Sequence, residues 1–98
     1  MAGNAAKRKG TRNEHRSMAV LEASGYRCVR SGGSLGVFDL VGFCAVSIVL
    51  VQVKTNAWPG LLEIEAMREF QVPYGVHKLI HRWDDRSHLP MIREVAER

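Results

Sequence analysis

The chain has 98 residues, a net charge of +4 and an isoelectric point near 9.5. This length leaves room for one hydrophobic core, which excludes a two-domain protein and makes association into a dimer a natural supplement to stability. Hydrophobic residues make up 46% of the chain and charged residues 24%, ordinary values for a globular domain. The longest apolar stretch, residues 40–51, is too short to span a membrane.

The N-terminus is basic, but no apolar signal core follows it, so we expect an intracellular protein without membrane contact. Cys28 and Cys44 are the only cysteines and lack a CxxC spacing. We therefore expect two free, buried thiols rather than a disulfide.

Positive charge is concentrated in the first 30 residues. They hold seven basic and two acidic residues, whereas the other 68 hold seven basic and eight acidic. This asymmetry suits contact with a phosphate backbone, and it equally suits a solubilising tail. If the partner is DNA, we expect the contacts at Lys7, Lys9, Arg12, Arg16, Arg30 and Ser31.

The pattern of apolar residues predicts the elements in chain order. Residues 1–9 are expected to be a basic, disordered segment, followed by a single domain over residues 10–98. A helix is predicted over Gly10–Ser24, a strand over Tyr26–Arg30 and a flexible connection over Ser31–Ser34.

Two strands follow, Val37–Phe43 and Ser47–Lys54, and the second is apolar on both faces, which is typical of the middle of a sheet. A second helix carries Pro59 in its first turn and an apolar stripe that is core or partly a dimer face: Leu61, Leu62, Ile64, Met67 and Phe70. Residues 76–83 are predicted to form a strand, and residues 89–97 a strand or a short helix. The predicted fold is α/β, a mixed β-sheet flanked by helices in the order αβββαβ.

Polar residues interrupt the two apolar strands. Asp39 lies within one of them, where a buried carboxylate is unfavourable unless a cation, a metal or a cleft compensates it. Gln52 and Lys54 are two residues apart and therefore share one face of the next strand. Glu14 lies four residues before Met18 on the helix face turned toward the sheet. The carboxylate and amide oxygens of these residues suit Mg²⁺, with Mn²⁺ as an alternative. The same residues are also explained without a metal, as polar side chains at solvated strand ends and as a carboxylate favoured by the helix dipole.

The segments around these residues occur in a recognisable order: residues 9–16 (KGTRNEHR), 25–34 (GYRCVRSGGS), 38–41 (FDLV) and 51–55 (VQVKT). Together, over about residues 9–83, they resemble the archaeal-type Holliday junction resolvases of the PD-(D/E)XK nuclease superfamily. Phe38 replaces the Pro of the name, a residue that is not a ligand. Gln52 replaces the usual Glu, which removes one negative charge.

The resemblance implies a restriction-endonuclease-like core and assigns a role to each matching residue. It implies metal ligation by Glu14, Asp39, Gln52 and Val53. Lys54 would assist the attacking water. The functional serine of the loop after the first strand corresponds to Ser34, with Ser31 as the other candidate.

Five further residues have a packing or surface interpretation beside a functional one. His77 and His81 share a strand face, but zinc ligation would need further ligands that no spacing supplies, so packing or a nucleic-acid contact is expected. Trp58 and Tyr74 suit the edge of the core or base stacking. His15 suits a phosphate contact or a solvated helix surface.

We therefore expect a Mg²⁺-dependent endonuclease that hydrolyses DNA at four-way junctions and leaves 5′-phosphate ends, as the resemblance implies. A homodimer would suit symmetric cleavage, which needs two matching sites. One alternative is a related structure-specific or nicking nuclease of phage or restriction type. The others are a catalytically inactive DNA-binding relative, favoured by Gln52, and an interaction protein whose polar residues are solvated strand ends.

Overall fold

The computed structural model describes residues 2–96 and contains two helices and five strands. In chain order they are α1 (Ala2–Ala23), β1 (Arg27–Arg30), β2 (Leu40–Phe43), β3 (Ile48–Thr55), α2 (Leu61–Glu69), β4 (His77–Trp83) and β5 (Met91–Glu94). The predicted α/β order is confirmed, and β5 resolves the choice left open for residues 89–97 in favour of a strand; Glu97 lies outside the described residues. Within residues 2–96, no helix is long and apolar enough to cross a membrane.

The five strands form one mixed sheet in the order β1-β2-β3-β4-β5. Neighbouring strands are antiparallel except β3 and β4, which are parallel and connected through α2. Strand β3 lies at the centre, as its apolar composition predicts. The register pairs Leu40 with Val51, so Asp39, one residue before β2, comes beside the end of β3 that carries Gln52 and Lys54.

Each face of the sheet is covered by one helix. A buried cluster joins α1 to the first face and consists of Leu21, Leu40, Val49 and Val51. A second cluster joins α2 to the opposite face and consists of Phe38, Leu50, Met67, Ile80 and Val95. Because successive strand residues point to opposite faces, β3 contributes to both clusters, and its polar end turns Gln52 and Lys54 toward α2.

Helix α1 begins at Ala2 instead of Gly10. The prediction of a disordered segment over residues 1–9 is therefore wrong for residues 2–9, and Met1 lies outside the described residues. Alanine, lysine and arginine have high helix propensity, and a helix already nucleated against the sheet extends with little further loss of free energy. The ammonium group of Lys9 also lies 3.1 Å from Asp85 Oδ1, which ties this end of α1 to the loop after β4.

Helix α2 begins at Leu61, so Pro59 precedes the helix and does not lie in its first turn as predicted. Met67 is fully buried, whereas Leu61 and Leu62 are 76% and 85% exposed. At 3.6 residues per turn, both leucines lie more than roughly 100° around the helix from Met67 and point away from the sheet. The predicted apolar stripe is therefore only partly core.

The strand boundaries differ from the predicted ones most at β2, which begins at Leu40 instead of Val37. The backbone N–H of Phe38 donates to the carbonyl of Leu35 at 3.0 Å, so this segment is still a turn. Asp39 consequently lies just before the strand and not within it. Its position beside β3 is unaffected, because its own N–H already donates to Val51 on β3.

The two cysteines are free, as predicted, but they are half-buried instead of buried. The Cys28 thiol lies 3.9 Å from the carbonyl of Met18 on α1. Burial, reinforced by the nearby charge of Glu22, raises the pKa of the Cys28 thiol, so it stays protonated and unreactive at neutral pH.

His81 is fully buried between β4 and α1, which confirms its packing role. Its Nδ1 lies 2.9 Å from Ser17 Oγ, and Trp83 Nε1 donates to the same hydroxyl at 2.7 Å. Burial lowers the pKa of His81 to about 4, so the ring is neutral in the folded protein at pH 7.

We expect the His81→Gln variant to lose part of the stability change that the wild type shows between pH 6.5 and pH 4. In that window His81 becomes protonated in the unfolded wild-type chain but stays neutral in the folded one. The free energy of unfolding of the wild type therefore falls as the pH falls. This contribution is on the order of 3 kcal/mol. Urea unfolding of both proteins across this pH range measures it, and equal slopes for the two would contradict the assignment.

Candidate active site

The backbone around Asp39 is fixed by hydrogen bonds on two sides. Its N–H donates to the Val51 carbonyl at 2.8 Å, and its own carbonyl accepts from the Ser31 N–H at 2.9 Å. Its side-chain Oδ2 accepts from the Val53 N–H at 2.8 Å. The carboxylate is therefore held in a defined position against the backbone of β3, and Val53, a predicted metal ligand, contributes its backbone to that contact.

Burial dominates the electrostatics of Asp39 and raises the pKa of its carboxyl group. The hydrogen bond from Val53 opposes this rise, the charge of Glu14 adds to it, and the charges of Lys54 and Arg30 reduce it. The net pKa is above the ordinary value. The structure thus brings Glu14 and Lys54, both predicted site residues, close enough to Asp39 for their charges to act on it.

Glu14 lies on α1, and its carboxylate forms an ion pair with Arg30 on β1. Both Nε and Nη2 of Arg30 lie 2.9 Å from Glu14 Oε1. Arg30, which was predicted to contact DNA, is therefore already engaged by a site carboxylate. The ion pair offsets the charge of Glu14 and fixes its side chain between helix and sheet.

Gln52 and Lys54 on β3 meet a carboxylate that the sequence analysis did not single out. Gln52 Nε2 donates to Glu63 Oε2 at 2.9 Å, and Lys54 Nζ lies 3.4 Å from Glu63 Oε1. Gln52 is only 5% exposed, whereas Lys54 and Glu63 are partly exposed at the edge of the same face. The amide of Gln52 and the ammonium group of Lys54, which were predicted to share one strand face, are thus both in contact with Glu63.

Glu63 is placed there by the start of α2. It lies in the first turn of the helix, and its Oε1 also accepts from the backbone N–H of Gly60 at 3.4 Å. Partial burial raises the pKa of Glu63, but the hydrogen bond from Gln52, the charge of Lys54 and the Gly60 N–H together outweigh it, so the pKa is below its ordinary value. Glu63 is therefore ionised at neutral pH.

The serine loop after β1 closes on itself. Ser31 Oγ donates to the Phe38 carbonyl at 2.7 Å, and Ser34 Oγ donates to the Ser31 carbonyl at 2.6 Å. Ser31 is half-buried and Ser34 is exposed. Ser31 therefore anchors the segment that leads into Asp39, while the catalytic role of Ser34 stays a prediction.

The predicted DNA-binding residues of α1 differ in how far the fold engages them. Lys7 and Arg12 are exposed, and Lys9 pairs with Asp85. Arg16 donates to the Ser87 carbonyl at 2.6 Å, and its guanidinium carbon lies 4.0 Å from the centre of the Trp83 ring. Arg16 is thus used to pack α1 onto the loop after β4.

Trp58 lies at the edge of the core, where it packs against the cluster on the α2 side. The guanidinium carbon of Arg93 lies 4.0 Å from its ring centre. Tyr74 is fully exposed, so the edge-of-core interpretation is wrong for it. His77 is also exposed, and its Nδ1 lies 2.8 Å from Glu94 Oε2, so the predicted packing role of His77 is wrong. His15 is exposed, as expected for a residue on a solvated helix surface.

The donors in this region fit a hard divalent cation such as Mg²⁺ or Mn²⁺, which prefers carboxylate and amide oxygens. Gln52 Oε1 is buried, and no donor among residues 2–96 bonds to it, so a cation would satisfy it. In the same residues, no three His, Cys, Asp or Glu side chains form a metal-binding group. An ion here would therefore also need amide, backbone, water or phosphate oxygens, and the predicted ligand set stays a prediction.

No protein-family model matches the chain, and no characterised protein matches its sequence. Among solved structures, the chain is similar to Hjc of Archaeoglobus fulgidus, described as a Holliday junction resolvase from an archaeal hyperthermophile. The TM-score is 0.73 at 21% sequence identity, and the match covers 89% of this chain and 73% of that chain. The predicted α/β core with a mixed sheet flanked by helices is therefore confirmed, and the likeness is one of fold.

Glu63 is the residue of this region that sequence reasoning missed. A signal for it was present, because Glu63 occupies the third position of a helix that begins six residues after the end of β3 at Thr55. A helix that follows a strand after so short a connection begins near the end of that strand. An acidic residue in its first turn is therefore a candidate neighbour of Gln52 and Lys54.

Proposed function

We propose that this protein is a divalent-metal-dependent endonuclease that hydrolyses DNA phosphodiester bonds at four-way junctions. The observation that carries the proposal is the carboxylate of Asp39, held by the Val53 N–H beside Lys54 on a fold similar to that of a Holliday junction resolvase. Ion-pair networks also place charges at strand ends, but they do not explain a half-buried carboxylate whose pKa is raised by burial.

The chain's own groups have separable tasks in this reaction. Lys54 is partly exposed and points toward α2, where its charge would stabilise the negative charge that develops on the scissile phosphate. Asp39 and the Gln52 amide oxygen would hold the metal, with Glu14 fixed nearby by Arg30. A bound Mg²⁺ would polarise the phosphate and lower the pKa of a water molecule.

The remaining surface of α1 suits the DNA backbone. Lys7 and Arg12 are exposed on this helix, which lies on the sheet face opposite α2. Contacts of this kind make DNA affinity fall with rising salt concentration. We propose further that the protein acts as a homodimer, because the two strands cut at a junction are related by two-fold symmetry.

The test is a cleavage assay on a four-way junction, a flap and a plain duplex, each with Mg²⁺, with Mn²⁺ and with EDTA. We expect cleavage of the junction in either metal and none in EDTA. Preferential cleavage of the flap or the duplex would support the related structure-specific or nicking nuclease. Failure to cut any substrate in either metal would refute the nuclease proposal.

Replacing Lys54 by alanine is expected to reduce the cleavage rate by about 10²-fold, because it removes a cation that stabilises charge in the transition state. Junction binding should change little, since one of 14 Lys and Arg residues is lost. Arg27→Ala, which removes an exposed cation from the edge strand β1, is the matched control and should cut normally. Equal rates for Lys54→Ala and Arg27→Ala would exclude a catalytic role for Lys54.

A catalytically inactive DNA-binding protein is the second candidate. It is favoured by Gln52, which carries no charge and whose amide nitrogen is held by Glu63. This candidate predicts salt-sensitive junction binding without cleavage in any metal. If neither cleavage nor salt-sensitive binding is found, an interaction protein with solvated strand ends is the remaining interpretation.

A further inference from the structure

The charges around Asp39 do not by themselves favour a divalent cation. Arg30 pairs with Glu14, the charge of Lys54 acts on Asp39, and Gln52 is neutral, so the carboxylates of Glu14 and Asp39 are balanced by two cations. A site for Mg²⁺ or Mn²⁺ normally includes negatively charged ligands that remain uncompensated. The residues predicted from the sequence therefore lack one negative charge for the proposed function.

Glu63 adds a negative charge beside Gln52 and Lys54. Its carboxylate is within hydrogen-bonding distance of Gln52 Nε2, at 2.9 Å, and 3.4 Å from Lys54 Nζ. A carboxylate has about four lone-pair sites, so these contacts leave Glu63 oxygens able to bind a further group. The start of α2 fixes its backbone, which limits how far the carboxylate can move.

The amide oxygen of Gln52 points to the same ligand independently. Gln52 is 5% exposed, its Oε1 is buried, and no donor within residues 2–96 reaches that atom. The amide is oriented by Glu63, because only its nitrogen can donate to a carboxylate. Glu63 thereby leaves an unpartnered oxygen on the other end of the same amide, available to a cation.

We propose that Glu63 supplies, from α2, a carboxylate ligand of the divalent-cation site, alongside Asp39 and the amide oxygen of Gln52. This inference rests on the proposed metal-dependent function. It adds a ligand from α2 to the Gln52 amide oxygen expected from β3. A structural role for Glu63, restricted to holding Lys54 and the first turn of α2, makes the opposite prediction for metal affinity.

The experiment measures Mn²⁺ binding by electron paramagnetic resonance, without DNA, in the wild type and three variants. Glu63→Gln keeps the shape of the side chain and one acceptor oxygen but removes its charge. Glu69→Gln removes the same charge from an exposed position of the same helix. The double variant Gln52→Glu/Glu63→Gln exchanges the carboxylate and the amide across the hydrogen bond.

We expect Glu63→Gln to weaken Mn²⁺ binding at least tenfold and Glu69→Gln to leave it unchanged. The exchange variant should recover binding to within a few-fold of the wild type, since it returns the negative charge to the site. All measurements are made below the thermal transition of each variant. Unchanged Mn²⁺ affinity in Glu63→Gln would overturn the inference.

Cleavage by the same proteins separates this inference from the proposed function. A wild type that cuts junctions, together with a Glu63→Gln variant that binds Mn²⁺ normally, would refute only the role of Glu63. A wild type that neither binds Mn²⁺ nor cuts would refute both. Loss of Mn²⁺ binding in Glu63→Gln that the exchange variant fails to restore would contradict a direct ligand role.

Discussion

Asp39→Asn is expected to lower the rate of junction cleavage by about 10³-fold or more while changing DNA affinity only slightly. In the proposed function Asp39 holds the metal, and losing a charged metal ligand removes several kcal/mol of transition-state stabilisation, which corresponds to a rate change of this order. The asparagine can still accept the hydrogen bond from the Val53 N–H through its amide oxygen. The local fold around β2 and β3 should therefore persist, so the loss can be attributed to the charge.

The measurement is single-turnover cleavage of a labelled four-way junction in saturating Mg²⁺, with binding measured separately in Ca²⁺ or EDTA. Asp84→Asn is the matched control, because Asp84 pairs with Arg82 on β4 and lies outside the candidate site. It should cut at the wild-type rate. Mg²⁺-dependent cleavage that persists in Asp39→Asn would remove Asp39 from the site and with it the main support for the nuclease proposal.

Phe38→Ala should lower the free energy of unfolding by about 3–5 kcal/mol, the usual range for removing a buried phenylalanine. Phe38 is 1% exposed, and its ring meets that of Phe70 edge-on at 5.5 Å between centroids. It is part of the cluster that joins the sheet to α2, where Met67 is also fully buried. Since a domain of this size is stable by roughly 5–15 kcal/mol, the variant should be close to unfolding.

Urea unfolding followed by circular dichroism measures this loss. Val46→Ala is the control, because Val46 is 92% exposed in the turn between β2 and β3 and should change stability by less than about 0.5 kcal/mol. If Phe38→Ala were as stable as Val46→Ala, the burial of Phe38 between the sheet and α2 would be contradicted. The position of Phe38 next to Asp39 also means that the variant should cleave poorly at temperatures where it is partly unfolded.

The central strand shows how much of the fold the sequence predicts. An apolar run over Ile48–Val51 places β3 in the interior, and the alternation of strand residues places Gln52 and Lys54 on one face. Both expectations agree with the register of the sheet. The errors lie at element ends, where the start of α1 at Ala2 and of β2 at Leu40 depends on contacts with distant residues.

The candidate site is predicted in composition but only partly in contacts. Asp39 lies within reach of the charges of Glu14 and Lys54, as expected from the helix phase and the strand order. The partners of two site residues were not expected: Arg30 for Glu14, and Glu63 for Gln52. Sequence motifs identify residue types at fixed spacings, and they do not state which side chain each one meets.

The sequence by itself determined which residues interrupt apolar strands and which strand face they occupy, because these properties follow from local hydrophobic periodicity. It thereby identified Asp39, Gln52 and Lys54. Only the tertiary structure decided that Glu63, eleven residues after Gln52, lies 2.9 Å from its amide. That distance depends on how α2 packs across the sheet after β3, and the packing is set by burial of Met67 and Phe38 on a face formed from several separate segments.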